Sequence, residues 1–340
     1  MKPSVLPRLL RGDGLTFSEA RVFFRGMLGG GLTDAEVKAV LLCLARRGES
    51  AEELRAFVAS VREMEPPIRT VFPRLMDVCG TGGDGAGSFN ISTLAAIVVA
   101  GAGGQIAKHG NRSISSRCGS SDLMSALGVR LEAPQKKMIG AIRRSGIGYF
   151  HAPFYHPVFS RFQPLRCQLR VRTIFNLAGP LLNPLALRYQ LIGVASREAM
   201  TVYARVLARQ GLRRAWVCHS RDGMDEISTR ALTDAVRIEN GKMIPETLDP
   251  RKFGFGEIKG SCSFRGGTVA ENRKTALGIL SGRNRTGARD IVVLNAAAAL
   301  WVCRLAQDVA GGVALASEAI DSGKAFRALG ALVRESGGRL

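Results

Sequence analysis

The sequence predicts an α/β protein in which a small N-terminal helical domain precedes a large α/β domain, its mostly parallel central sheet flanked by helices. Three observations predict it. The first 65 residues repeat helix-start signals ahead of apolar residues at helical spacing, Pro66-Pro67 ends that texture, and from Leu75 short β-rich runs alternate with helix-like segments.

The helical start rests on three capping-box patterns, Thr16/Glu19, Thr33/Glu36 and Ser50/Glu53, in which a hydroxyl and a later carboxylate satisfy orphan N–H groups. Behind the second stand Val37, Val40, Leu41 and Leu44, and behind the third Leu54, Phe57, Val58 and Val61. Each set lies on one helix face, and helices this short need one another to bury such faces. Residues 1–72 are therefore expected to form the helical domain and 73–340 the α/β domain. In the latter the strand candidates are Leu75–Cys79, Gln105–Ala107, Ile147–Phe150, Leu191–Ala195 and Ala215–Cys218. Helix candidates between them include Thr93–Ala102, Ser121–Leu127 and Arg197–Arg209, closed by Gly103, Gly128 and Gly211. Asn240-Gly241 marks a hairpin, hence some antiparallel pairing. Helices over 289–306 and 313–334 finish the chain.

With 340 residues, 46% of them apolar, the chain has material for one large core or two modest ones. No uninterrupted apolar run reaches the roughly 18 residues of a membrane span. Met1 to Thr16 lacks the apolar core of a signal peptide, so a soluble cytoplasmic protein is expected. The seven cysteines (Cys43, Cys79, Cys118, Cys167, Cys218, Cys262 and Cys303) form no CxxC pair, which argues for reduced thiols over a zinc site or a disulfide framework. The formal net charge of +20 favours an anionic partner. Basic residues are scattered as singles and pairs and aromatics are only 6%, so a base-stacking nucleic-acid platform is not supported.

The strand Leu75–Cys79 runs directly into Gly80-Thr81-Gly82-Gly83-Asp84-Gly85. Strand, glycine loop and helix in succession let backbone N–H groups approach a phosphate. Gly80, Gly82 and Gly85 also satisfy G-x-G-x-x-G, but a dinucleotide site needs an acidic residue about 20 positions on to hold the ribose. No Asp or Glu lies between Asp84 and Asp122, which excludes that reading. The acid-free stretch carries Lys108, His109, Arg112 and Arg117 among hydroxyls at Ser88, Ser92, Thr93, Ser113, Ser115, Ser116, Ser120 and Ser121. Cations and small donors on glycine-rich backbone suit several phosphates at once. Far downstream, His219-Ser220-Arg221-Asp222-Gly223-Met224-Asp225-Glu226 follows the strand Ala215–Cys218. Adjacent carboxylates in a chain short of acid suit Mg²⁺, which takes a few carboxylates together with water and phosphate oxygens.

These motifs resemble those of the anthranilate phosphoribosyltransferase family. The likeness rests on Gly80–Asp84, Phe89-Asn90-Ile91-Ser92-Thr93, Lys108-His109-Gly110-Asn111-Arg112-Ser113 and Asp222–Glu226, and continues through Thr173–Pro184. It implies a homodimer with the fold of pyrimidine nucleoside phosphorylases, a segment near 170–190 that returns to the helical domain, and an active site in the cleft between domains. It implies that Gly80, Gly83, Asp84, Ser88, Asn90, Thr93, Lys108 and Ser120 hold phosphoribosyl diphosphate. Two Mg²⁺ ions are implied, one touched by Ser92 and one held by Asp225 and Glu226. Gly80, Asn111, Arg166 and His109 are implied anthranilate contacts, with the region Tyr149 to Tyr155 along the acceptor's approach. No catalytic nucleophile or base is implied, because the aniline nitrogen is neutral and needs positioning more than activation.

Two departures from the family's usual pattern stand out: Gly87-Ser88 where Asn-Thr is common, and Ser220-Arg221 where Gly follows the His. The alternatives are a nucleic-acid-binding paralogue, favoured only by charge, a nucleoside phosphorylase, and a transferase acting on another aromatic acid. Asn111 and Arg166 argue for a carboxylate-bearing acceptor over a nucleobase.

Overall fold

A computed structural model describes residues 5–112, 117–256 and 264–339. The chain opens with α1 (Leu6–Leu10), α2 (Phe17–Leu28), α3 (Asp34–Arg47) and α4 (Ala51–Met64). The last three each begin on the anticipated capping box, with Thr16, Thr33 and Ser50 as the N-caps. Within α4 the buried Glu53 does more than cap. One oxygen accepts the Leu15 N–H at 2.9 Å and the other accepts the Ser50 N–H at 2.8 Å and pairs with Arg47. Glu53→Ala strips three partners at once, so a loss of about 2–3 kcal/mol is expected, read as a lower urea midpoint with an unchanged slope. An unshifted midpoint would contradict this account of α4.

The second half of the fold alternates as anticipated. It comprises β1 (Leu75–Gly80), α5 (Ile91–Gly101), β2 (Gln105–Gly110), α6 (Ser120–Ala126), α7 (Gln135–Ser145), β3 (Ile147–His151) and α8 (Ala152–Tyr155). Then come α9 (Gln163–Leu169), α10 (Ile174–Ala178), β4 (Tyr189–Gly193), α11 (Arg197–Leu207), β5 (Arg214–Ser220), β6 (Thr233–Glu239) and β7 (Lys242–Leu248). Four helices end the chain: α12 (Val269–Leu280), α13 (Gly287–Val302), α14 (Val309–Asp321) and α15 (Lys324–Ser336).

The seven strands lie in the order β3-β2-β1-β4-β5-β6-β7. The first five are parallel, and β6 and β7 add an antiparallel hairpin through Asn240 (φ 50°) and Gly241 (φ 80°). Both turn residues at positive φ give the turn whose twist matches paired strands. Strand order reverses direction between β1 and β4, which opens a crevice at their C-terminal ends. Alternation along the strands divides the core. Leu191, Trp216 and Cys218 face one cluster with α5, α13 and α15, while Ile192, Ala215 and Val217 face another with α2–α4 and α11. Beyond the Ser92-Thr93 first turn, helix α5 is apolar on every side because it lies between the sheet and α13 and α15. Helices α9 and α10 carry the chain back onto α3 and α4, where Phe175 meets Phe57 at 5.1 Å.

Three expectations need adjustment. The fourth strand starts at Tyr189 rather than Leu191. The single helix anticipated over 313–334 is two, broken at Gly323 (φ 72°). Helix α12 was not anticipated, although its capping box Thr268/Glu271 stands in the sequence. Ser113, Ser115, Ser116 and Cys262 lie outside the described residues. Among those described, Cys79, Cys218 and Cys303 are buried free thiols, Cys118 is buried, and no helix is long and apolar enough to cross a membrane.

Candidate active site

Two loops meet over the end of β4. After β1, the chain takes positive φ at Gly82 (64°), Gly83 (81°), Gly85 (72°) and Gly87 (59°), a path that suits glycine. The Thr81 N–H donates to Gly193 O at 2.9 Å, and the Gly82 N–H donates to Asp225 Oδ2 at 2.6 Å. Asp84 answers from the same loop: Oδ1 accepts the Ala86 N–H at 3.1 Å and Oδ2 the Asp225 N–H at 3.2 Å. A Cβ on Gly80 would overlap the Asp225 carboxylate, and one on Gly193 would overlap the Asp225 carbonyl. Bare backbone at both strand ends is what lets the acidic loop lie this close.

The remaining donor-side residues gather around this junction. Ser88 bridges to Arg265 through the backbone, and the Asn90 amide donates to Cys118 O at 3.0 Å while accepting from Asn272 at 3.2 Å. The Ser92 N–H, in the first turn of α5, donates to Glu226 Oε1 at 3.0 Å, and Thr93 beside it is buried. Lys108 lies buried on β2, with Nζ only 3.4 Å from His109 O. Ser120, at the start of α6, joins Asn111 by backbone and hydroxyl contacts at 3.2 Å and meets Tyr149 Oη at 3.1 Å.

Asp225 and Glu226 are both buried, and burial pushes both carboxyls up from their ordinary values. Asp84 adds to the rise at Asp225, and Asp225 to that at Glu226. Neither forms an ion pair with a described lysine or arginine, and among the described residues no three His, Cys, Asp or Glu side chains converge as a metal cluster. Two buried carboxylates beside the Ser92 hydroxyl fit Mg²⁺, a cation that would lower their charging cost and leaves room for phosphate oxygens. Arg221, one of the unusual positions, turns from this loop to pair with Asp234 at 2.8 Å. Asp222 is occupied within its own turn, where it accepts from Ser228 at 2.6 Å.

The acceptor-side residues are spread wider. The Asn111 side chain is exposed and accepts the Arg112 N–H at 2.7 Å. The half-buried Arg166 lies over Phe175, 5.4 Å from the ring centre. Rings at successive separations of 5.4, 5.7 and 5.3 Å connect Phe175 to Phe159, His156 and His109. Burial lowers the His109 pKa well below its ordinary value, so the ring is neutral at pH 7. Its Nδ1 meets Gly179 O at 3.1 Å, while Nε2 is buried without a described partner. Tyr149 does not present an aromatic surface. It is fully buried, its hydroxyl bonded to Ser120 and Ser121, and the Tyr155 hydroxyl donates to Ala133 O.

Sequence reasoning missed the supports beneath this site. Asp77, buried in β1, accepts from the Asn183 amide at 2.9 Å and, more weakly, from the His109 N–H at 3.4 Å. His156 is held by Glu65 and by Leu182 O, each at 2.7 Å. A lone Asp inside an apolar strand was the one available signal for Asp77.

Family models divide the chain along the same line. Residues 3–64 match the helical bundle domain of a glycosyl transferase family, and residues 72–326 match its a/b domain. An anthranilate phosphoribosyltransferase of Desulfosudis oleivorans is 41% identical over 333 residues, covering 98% of each chain. The crystal structure of an anthranilate phosphoribosyltransferase from Thermus thermophilus superposes with a TM-score of 0.88 at 36% identity, over 98% of this chain and 99% of that one. That of Saccharomyces cerevisiae, in complex with PRPP and Mg, also gives 0.88, at 26% identity over 99% and 98%. The chain belongs to the anthranilate phosphoribosyltransferase family.

Proposed function

We propose that the protein transfers the 5-phosphoribosyl group from phosphoribosyl diphosphate to the amine of anthranilate, giving N-(5-phosphoribosyl)anthranilate and diphosphate in tryptophan biosynthesis. The observation that carries it is the convergence of three strand-end elements: the glycine loop after β1, Lys108 on β2 with the Asn111–Ser120 pair beyond it, and Asp225-Glu226 after β5, whose Glu226 feels the Lys108 charge.

In this reading Gly80, Gly83, Asp84, Ser88, Asn90, Thr93, Lys108 and Ser120 bind the donor. Loop N–H groups and the Lys108 ammonium stabilise the negative charge that grows on departing diphosphate. Two Mg²⁺ ions, at Ser92 and at the Asp225-Glu226 pair, would add the charge neutralisation that a diphosphate leaving group needs. As the C–O bond to diphosphate breaks, the amine nitrogen forms its bond to the anomeric carbon and then sheds a proton. Gly80, Asn111, Arg166 and His109 position the acceptor, with Arg166 forking onto its carboxylate. The working form is a cytoplasmic homodimer. The glycine loop and the acidic pair have no use in a nucleic-acid-binding reading, which the scattered charge alone would favour.

The test mixes the protein with Mg²⁺, phosphoribosyl diphosphate and anthranilate and follows anthranilate fluorescence, which should fall with time. A constant signal sinks the proposal. Arg166→Ala should raise the KM for anthranilate about 10- to 100-fold and leave that for phosphoribosyl diphosphate within error. Equal rises in both would remove Arg166 from the acceptor site.

A further inference from the structure

Arg172 lies between α9 and α10, in the segment that returns to the helices, yet its guanidinium reaches the glycine loop. Nη1 donates to Gly82 O at 2.7 Å and Nη2 to Thr81 O at 2.9 Å. These are the carbonyls of two successive peptide units. In a planar trans peptide the C=O and the N–H point in opposite directions. Fixing Thr81 C=O therefore aims the Gly82 N–H away from Arg172, and that N–H is the one that meets Asp225 Oδ2 at 2.6 Å. Fixing Gly82 C=O likewise aims the Gly83 N–H away from the guanidinium.

The loop needs such a constraint. Gly82 and Gly83 both sit at positive φ, where glycine has wide conformational freedom, and a flipped peptide would turn a carbonyl oxygen toward bound phosphate. The guanidinium also fills the space where a Cβ on Gly83 would stand, so loop and arginine are fitted to each other. Its planar fork reaches two acceptors at once, which an ammonium cannot reproduce with the same geometry.

We infer that Arg172 is a positioning residue: it holds the Thr81–Gly82 and Gly82–Gly83 peptide planes so that the Gly82 N–H stays on Asp225 and the Gly83 N–H faces the donor's phosphates, tying the loop to the α9–α10 segment. This rests on the reading of the loop as the diphosphate cradle. The partly buried Glu49, just beyond α3, is raised by burial, and the positive charge of Arg172 opposes that rise.

The experiment compares wild type, Arg172→Ala and Arg172→Lys. Phosphoribosyl diphosphate with Mg²⁺ is titrated calorimetrically without acceptor, and both KM values are then measured. Losing charge-assisted hydrogen bonds should weaken donor binding about tenfold or more in the alanine variant. Lysine keeps the charge and the aliphatic stem but not the fork, so it should weaken binding about fivefold or more. The anthranilate KM should stay within about twofold in both, a split that a general loss of structure would not give. If the alanine variant does not fold, the lysine variant carries the test. Wild-type affinity in Arg172→Lys, or a rise confined to the anthranilate KM, overturns the inference while leaving the function intact. A wild-type protein that does not bind phosphoribosyl diphosphate overturns both.

Discussion

Asp225→Asn and Glu226→Gln should each lower turnover about 100- to 1000-fold and weaken its Mg²⁺ dependence, the scale of lost electrostatic stabilisation at a leaving group. The same substitutions should not destabilise the metal-free protein. Both carboxyls are buried and pushed up by that burial, and each then suffers a neighbouring carboxylate, so ionising them at neutral pH costs folding free energy. The amides retain an acceptor for the Gly82 and Ser92 N–H groups. For an acid whose pKa is higher folded than unfolded, the native state keeps its proton longer. That contribution to stability is full below the unfolded pKa and is lost as pH climbs toward neutrality. With chelator present, the wild-type urea midpoint should thus fall over that climb, and those of the variants should fall less. Unchanged metal dependence in both variants would remove the pair from the metal site.

Lys108→Met should cost a similar factor, about 100-fold or more in kcat/KM, mainly through the donor. The ammonium is buried beside β1 with one long contact to His109 O, so its three donors are poorly used within the described residues. A buried cation of that kind is suited to an incoming anion. It also has a standing task, because burial raises the Asp77 carboxyl and Lys108 is the strongest group opposing the rise. Methionine keeps the length and removes the charge, so it separates electrostatics from packing. Donor affinity and turnover both at wild-type levels would show that the ammonium is not used.

What could be read beforehand follows from how local each signal is. The capping boxes on α2–α4, the hairpin at Asn240-Gly241 and the strand–glycine-loop–helix run from Leu75 are written in contiguous residues, and all appear where expected. The helix expected over 313–334 runs through Gly323, yet the buried positions Ala316, Ala319 and Ile320 of α14 and Ala325, Ala328, Leu329 and Leu332 of α15 do not share one helical phase, which is the signal for the break. Asp77 with Asn183, Glu65 with His156, and Arg172 with the glycine loop join residues about 90 to 106 positions apart. A single arginine in a chain with 48 Lys and Arg residues has no local signature, and its meaning appears only with the loop folded beside it. Arg221 illustrates the converse: adjacency placed a cation next to the acidic loop, and the antiparallel strand β6 supplied Asp234 to draw it away.

Gly193 offers no functional group, yet its carbonyl holds the Thr81 N–H and its bare Cα leaves space for the Asp225 carbonyl. The usual ranking of replaceability is thereby inverted. A residue that takes no part in the chemistry has fewer admissible substitutes than some that do, since even a methyl group there would push the acidic loop off the strand end. Engineering the donor pocket therefore has latitude at positions such as Ser88, which bridges to Arg265 through the backbone, but not at the terminus of β4. The distance between the phosphate loop and the carboxylates is a property of main chain rather than of rotamers, and side-chain libraries alone would not retune it.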